Sequence, residues 1–411
     1  MPFISPWEQT TCPYCFREFH LGDAPTRPYA YDGELYPDKP MGAFLNTAAP
    51  NLPPIKEAPS GTLSKFFRRI YLPVCKDDAP QSGHRICPYW HLFLPQAQAN
   101  WNRKNDIIAI VGSRSSGKSN YFGVLLNLLE RRFAAEVGFG IRPQMTFDVR
   151  RMNRISSREL YQQRYGDRLF RDNMVVEQTD RALVNADIKI PLIYQLTLSR
   201  KIKNVEKVRS IDLVIFDAAG EDLTTMTNFE QFGRYAVKAS GIIVMIDPFR
   251  YPTIFNKLSK DIQNRIPSPD AMEGTPNDIV DFVLNAKSNS RALRPGQKIA
   301  VPTAVTLTKI DMLRSLGQGN SPLLQNTRHV HGFNRKQCES NSKTLISFLD
   351  ANGAGELDAN VRNQFEKYAF FGVSALGELP DEDVLTNIRP INVADPLLWI
   401  LFQLGFLDGC T

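Results

Sequence analysis

From Asn105 onward, short apolar runs rich in valine and isoleucine alternate with longer stretches of helical period. Ile107 to Val111, Leu192 to Leu198, Ile211 to Phe216, Gly241 to Ile246, Ala300 to Leu307 and Tyr368 to Val373 read as strands. Six such runs with helices between them predict a doubly wound, mostly parallel α/β sheet over about residues 105–408. The link SRKIKNVEKVRS, between the second and third runs, is too short and polar for a crossover helix, so that pair reads as an antiparallel hairpin. Apolar spacing in DPLLWILFQLGF fits a final helix packed on the sheet. Helical insertions are expected at about 131–175 and 250–298. The first 98 residues read as a separate module. Eight prolines between Pro25 and Pro59 fix torsions and remove amide donors, so 21–62 reads as an extended surface connection. No internal repeat is apparent.

Chemistry enters at Gly112-Ser113-Arg114-Ser115-Ser116-Gly117-Lys118-Ser119, which fits G-x-x-x-x-G-K-S between the strand IIAIV and the helix that opens with Asn120. Glycines there let backbone amides converge on phosphate oxygens, and the helix N-terminus adds its dipole. Lys118 then bridges the β- and γ-phosphates and the Ser119 hydroxyl ligates Mg²⁺. Downstream, the strand in IDLVIFDAAGED ends at Asp217, placed to hold that magnesium, and the Gly220 amide can meet the γ-phosphate. Thr308-Lys309-Ile310-Asp311 follows the strand VPTAVTL. An aspartate there accepts from guanine N1–H and the exocyclic amine together, while the lysine stem lies over the base. Adenine offers an acceptor at N1 and lacks the 2-amino group, so this motif favours guanine. Ser374-Ala375-Leu376, after YAFFGV, would supply a backbone contact to O6.

With GSRSSGKS, DAAG, TKID and SAL in that order, residues 105–406 resemble the TRAFAC class of P-loop GTPases. More narrowly, CPYC, CPYWHLFLP, IAIVGSRSSGKSNYFGVL and DPLLWIL look like the double-GTPase proteins of bacterial GTPase-associated systems. That resemblance implies an N-terminal zinc ribbon, GTP/GDP with magnesium, hydrolysis to GDP and phosphate, and a place in prokaryotic conflict or defence. Three departures matter. Thr308 stands where many such proteins carry Asn. Glu221 replaces a water-orienting glutamine, which implies slow intrinsic hydrolysis or a nucleotide-holding scaffold. The switch threonine is read as Thr179, with Thr146 the competitor. An ATPase would require TKID to be coincidental.

Cys12-Pro13-Tyr14-Cys15 has the spacing of a zinc knuckle. Cys75 and Cys87 would complete a four-thiolate structural site, with His91 the alternate fourth ligand, because Trp90 stands where a second knuckle would carry its cysteine. His20 and His84 read as surface histidines, and Cys338 and Cys410 as ordinary thiols.

Composition narrows the remaining classes. The 411 residues carry a net charge of +6. The segment Arg131 to Arg171 alone holds ten arginines, no lysine and four acids, so the positive excess is local. The bland reading of that segment is a solvated helical face with local ion pairs. The sharper one is that one of its arginines, or Arg114, stabilises transition-state charge in cis. No run approaches the ~18 apolar residues of a membrane span, and the start shows no secretory pattern, so a cytoplasmic protein is expected. Nucleic acid is an unfavoured partner, without interleaved aromatics on a basic face. A protein partner at the ribbon or the insertions is the favoured one.

Overall fold

The structure is a computed structural model. It describes all residues except 1–8, 71–82, 96–97, 100–105, 114, 149–150, 177–189, 203–204, 217–232, 272–274, 291–295 and 411. Its centre is a seven-stranded sheet. In chain order the strands are β1 (Ile107–Gly112), β2 (Gly140–Pro143), β3 (Leu192–Ile202), β4 (Val205–Ile215), β5 (Ala239–Ile246), β6 (Thr303–Leu307) and β7 (Tyr368–Gly372). In space they run β7-β6-β5-β1-β4-β3-β2. β1, β4, β5, β6 and β7 are parallel, while β3 is antiparallel to both β4 and β2.

All six expected strands are present, and β3 and β4 form the expected antiparallel hairpin. Two features differ from the sequence reading. Most of the polar connection is itself strand, since the ladder continues from Leu192 opposite Ile215 out to Ile202 opposite Val205. β2 was not expected, because the run GIRP is short, contains an arginine and ends in proline; it pairs along the sheet edge, where those residues are tolerated.

Buried valine, isoleucine and leucine fill β1, β5 and β6, as a sheet covered on both faces requires. The last helix, Asp395–Gln403, lies on the sheet, buried from Asp395 to Leu401. Contact is close at Gly241 of β5, where an added Cβ would come within 2.3 Å of the Ile400 side chain. Arg209 of β4 closes the end of this helix, donating to the carbonyls of Gly405 and Leu404 at 2.6 and 2.8 Å. Among the described residues, no helix is long and apolar enough to cross a membrane.

The proline-rich stretch 21–62 is more folded than its composition implies. It contains a helix, Lys39–Leu45, with Met41, Phe44 and Leu45 buried. Proline is compatible there because Pro40 falls in the first turn, where amides lack partners anyway, and Asp38 caps the helix by accepting from the Met41 amide. Asp38 is also the electrostatic centre of the module, since its carboxylate meets Arg27 in a buried ion pair and His91 Nδ1 at 3.0 Å. His84, expected at the surface, is buried, with Nε2 bonded to the Leu94 carbonyl at 2.9 Å.

Burial alone would raise the Asp38 carboxyl, but His91, Arg27 and the Met41 amide outweigh it and hold it down at about 2. The unfolded value is about 3.9, so the carboxylate contributes stability that is complete above pH ~4 and lost as pH falls towards 2, about 2 kcal/mol in all. Thermal melts between pH 5 and 2 should show this loss, and Asp38→Asn should be less stable at pH 5 with a flatter profile. Parallel profiles for the two proteins would refute the role given to Asp38.

Candidate functional site

β1 ends in a loop that turns directly into the helix Lys118–Leu128, so the G-x-x-x-x-G-K-S segment sits at the carboxyl end of a buried parallel strand. Backbone geometry explains the glycines. A Cβ on Gly112 would lie 2.7 Å from Ser116 Oγ and 2.9 Å from the Met245 carbonyl, and Gly117 caps the helix at φ 83°. Ser115 also takes a left-handed conformation, at φ 59°. Lys118 folds back over the loop, its Nζ donating to the carbonyls of Gly112 at 2.7 Å and Ser113 at 2.9 Å. An ammonium is thereby fixed beside the amides of a helix N-terminus, a donor set suited to phosphate oxygens. Ser119 and Asn120 occupy the first helical turn.

The residues expected to read a base lie two strands away. Thr308 begins the turn after β6, and its hydroxyl bonds to the Ile246 carbonyl of β5 at 3.3 Å, so it joins neighbouring strands without reaching the phosphate loop. Lys309 is left-handed at φ 56°, and its Nζ meets the buried carboxylate of Asp247 at 2.6 Å. Asp247 was missed in the sequence, although its place at the end of IIVMID was a visible signal. Its other oxygen accepts from the Phe249 amide at 2.9 Å, so the lysine partner is itself anchored. Asp311 is buried, which pushes its carboxyl up, against the opposing pull of the Ser374 hydroxyl. Ser374 lies two residues beyond β7 and pairs its amide and carbonyl with Ile391, so Ala375 and Leu376 are the next residues able to offer an amide.

Arg114, Thr179, Asp217, Gly220, Glu221 and Cys75 lie outside the described residues. The flanks of 177–189 are nonetheless held. Asn120 Oδ1 accepts from the Val176 amide at 3.0 Å. Arg168 donates to the Val175 carbonyl at 2.9 Å, and Arg164 to Ile190 at 2.8 Å, both from one π-helix, Gln162–Arg171. Thr146, the competitor to Thr179, is buried within the strand Met145–Asp148 with its hydroxyl donating to the Pro191 carbonyl at 3.0 Å. Three arginines of the insertion make the surface ion pairs of the bland reading. Arg151, Arg158 and Arg171 form exposed ion pairs with Asp148 and Glu159, Glu130, and Asp167 and Asp172 respectively.

Two side-chain groups have the composition of metal sites. Cys12, Cys15 and Cys87 bring their sulfurs within 4.8 Å of one another, all buried. Hydrogen bonding with Cys12 and Cys87 pulls the Cys15 thiol down to about 4, the Cys15 and Cys87 sulfurs lying 3.8 Å apart. Burial pushes the Cys12 and Cys87 thiols up. His91, proposed as an alternate ligand, is instead turned to Asp38. The second group is His329, Cys338 and Asp395. There the hydrogen bonds decide against a metal. His329 Nδ1 accepts from the Asn334 amide at 3.1 Å, so the ring proton lies on Nε2, which donates to Asp395 and has no lone pair to give. Cys338 donates to the same carboxylate at 3.5 Å, so it is a tie to the last helix and more than an ordinary thiol.

The N-terminal module reaches the strand Ile107–Gly112 through an intervening aromatic side chain, Tyr235. Phe16, next to Cys15, lies 5.0 Å from the Tyr235 ring and 6.2 Å from Phe216. Tyr235 inserts its hydroxyl between β1 and β4, donating to the Val214 carbonyl at 2.8 Å and accepting from the Ile110 amide at 3.1 Å. Among the described residues these two strands pair at Asp212 opposite Ile107, and the hydroxyl takes over where they part.

No family model matches the chain. It is 25% identical over 424 residues, 96% of its own length and 99% of the relative's, to a Mycolicibacterium smegmatis protein that carries the provisional name ESX-1 scaffolding and assembly protein SaeC. Among solved structures it is similar to the signal recognition particle receptor SRb-GTP/SRX complex from Chaetomium thermophilum, at 11% identity over 68% of this chain and 95% of that one. The TM-score of 0.30 is too low for that likeness to carry an argument.

Tyr235→Phe removes one oxygen and leaves the Val214 carbonyl and Ile110 amide buried without it, a loss of about 1–3 kcal/mol. Chemical denaturation should register that drop. An unchanged midpoint would mean that β1 and β4 close on each other without the hydroxyl.

Proposed function

We propose that this chain binds guanine nucleotide with magnesium and hydrolyses GTP to GDP and phosphate, as a nucleotide-controlled switch of the P-loop GTPase type. One observation carries the reading. The phosphate loop after β1, the Lys309–Asp247 pair with Asp311 after β6, and Ser374 after β7 all sit at the carboxyl ends of parallel strands of one sheet, where open α/β folds take their ligands. The donor set fits the ligand. Loop amides and the Lys118 ammonium receive phosphate oxygens, Asp311 accepts the two guanine N–H donors, and the Ala375 amide reaches O6.

Ser119 and Asp217 would hold the magnesium, which supplies Lewis-acid charge neutralisation when bound. Gly220 and Thr179 would meet the terminal phosphate, with Arg114 as the candidate for extra positive charge in cis. The cysteine triad suits structural zinc, since three thiol sulfurs at this separation match one tetrahedral ion.

A second reading has specific support. The relative's name assigns it to scaffolding and assembly, and Glu221 is poorly suited to orient water. In that case the chain holds nucleotide and docks protein partners with negligible turnover.

Two substitutions separate these readings from each other and from an ATPase. Lys118→Ala should abolish phosphate release if turnover belongs to this chain, and wild-type release no faster than that of the variant would favour the scaffold. Asp311→Asn offers an amide donor in place of an acceptor, so it should weaken GTP by at least tenfold, equivalent to about 1.4 kcal/mol, and favour xanthosine triphosphate, whose O2 is an acceptor. Unaltered base preference would overturn the guanine reading. Because burial raises the Asp311 carboxyl, GTP affinity should also begin to fall with acidity above the ordinary carboxylate range of about pH 4.

A further inference from the structure

The two cysteine turns repeat each other. Cys12-Pro-Tyr-Cys15-Phe16-Arg17-Glu18 and Cys87-Pro-Tyr-Trp90-His91-Leu92-Phe93 align position by position. In the first, the Cys12 carbonyl accepts from the Phe16 amide at 2.9 Å and the Cys12 amide donates to Arg17 at 2.9 Å. In the second, the Cys87 carbonyl accepts from His91 at 2.9 Å and the Cys87 amide donates to Leu92 at 2.8 Å. Phe16 and His91 share a left-handed backbone, at φ 58° and 59°.

The turns also embrace each other reciprocally. Tyr14 of the first donates its hydroxyl to the Phe93 carbonyl at 2.8 Å, and Tyr89 of the second donates to the Glu18 carbonyl at 3.0 Å. Phe93 and Glu18 are equivalent positions, so a local two-fold axis relates the turns.

A two-fold pair of C-x2-C turns presents four sulfurs, the number a structural zinc takes. Cys12 and Cys87 are equivalent under this axis. Cys15 is equivalent to Trp90, whose half-buried ring lies 5.7 Å from Phe44 and has the Arg17 guanidinium 5.7 Å from its centroid. The second turn has the backbone of the first and carries tryptophan where the first carries its second donor.

We infer that this chain binds zinc through three thiolates, Cys12, Cys15 and Cys87, and that Trp90 marks a vacated fourth vertex which a cysteine at that position would refill. The turn at Trp90 shares the backbone hydrogen bonds and left-handed residue of the turn at Cys15, so Trp90→Cys should add a donor without remodelling it. This rests on the metal reading of the triad and is independent of the nucleotide.

The test is zinc content and resistance to chelator, with cobalt(II) as the spectroscopic stand-in, for the full-length protein, Trp90→Cys, Trp90→Phe, Cys75→Ser and Cys12→Ser. Trp90→Cys should retain zinc against at least tenfold more chelator than wild type. Its sulfur-to-cobalt charge-transfer absorbance should rise by about one third, the change from three thiolates to four. Trp90→Phe, which restores no donor, should match wild type, Cys75→Ser should be neutral, and Cys12→Ser should lose the metal. Zinc loss in Cys75→Ser would overturn the three-thiolate assignment, as would a Trp90→Cys protein with unchanged absorbance and retention. Absence of zinc from wild type and Trp90→Cys alike would overturn the metal reading itself.

Discussion

Everything in the site depends on how β1 is held. This strand carries the phosphate loop at its end, and its two neighbours treat it differently. β5 pairs with it from Ala239 opposite Ile107 to Met245 opposite Gly112, interrupted by one irregularity. β4 leaves it after Asp212, and the gap is filled by one phenolic oxygen, that of Tyr235, bonded to both strands. A buried carbonyl and amide could not be left open there without cost, so the tyrosine sets the spacing between the strand that ends in the phosphate loop and the strand that leads to Asp217.

That tyrosine also joins the two halves of the chain. Its ring touches Phe16, whose amide closes the turn around Cys12 and Cys15, so the cysteine cluster is one side chain removed from the phosphate-loop strand. Lys238 reinforces the contact through Glu18 at 2.7 Å, and Arg154 places its guanidinium over Tyr29. A metal at the cysteines and a nucleotide at β1 would thus act on a common packed layer, which fits a switch and a scaffold equally.

The sheet was legible in the sequence because buried parallel strands are continuous apolar runs, and each of IIAIV, GIIVMI and YAFFGV is such a run. GIRP was illegible, since an edge strand needs few apolar residues. Lys39–Leu45 was hidden by prolines whose number outweighed their positions: Pro40 starts a helix where it could as easily have prevented one. Within the candidate site, the placing of the G-x-x-x-x-G-K-S loop, Thr308 to Asp311 and Ser374 after strand ends was readable from order and spacing. Asp247, Tyr235 and the tautomer of His329 were not, because their roles come from partners distant in the chain, Lys309 for Asp247 and Ile110 for Tyr235, or from which hydrogen a buried ring carries. The relation between the turns at Cys12 and Cys87 was half visible in the repeated Cys-Pro-Tyr, yet only backbone hydrogen bonds reveal that the turn at Trp90 keeps the form of its cysteine counterpart.

The central claim is that the ends of β1, β6 and β7 form one guanine-nucleotide site. Isothermal titration of the purified, nucleotide-stripped protein with GTP and with ATP, each with magnesium, tests it directly. Saturable binding of one GTP, with ATP weaker by at least a hundredfold, or about 2.7 kcal/mol, is the expected result. Equal affinities, or no heat with either nucleotide, would contradict the account.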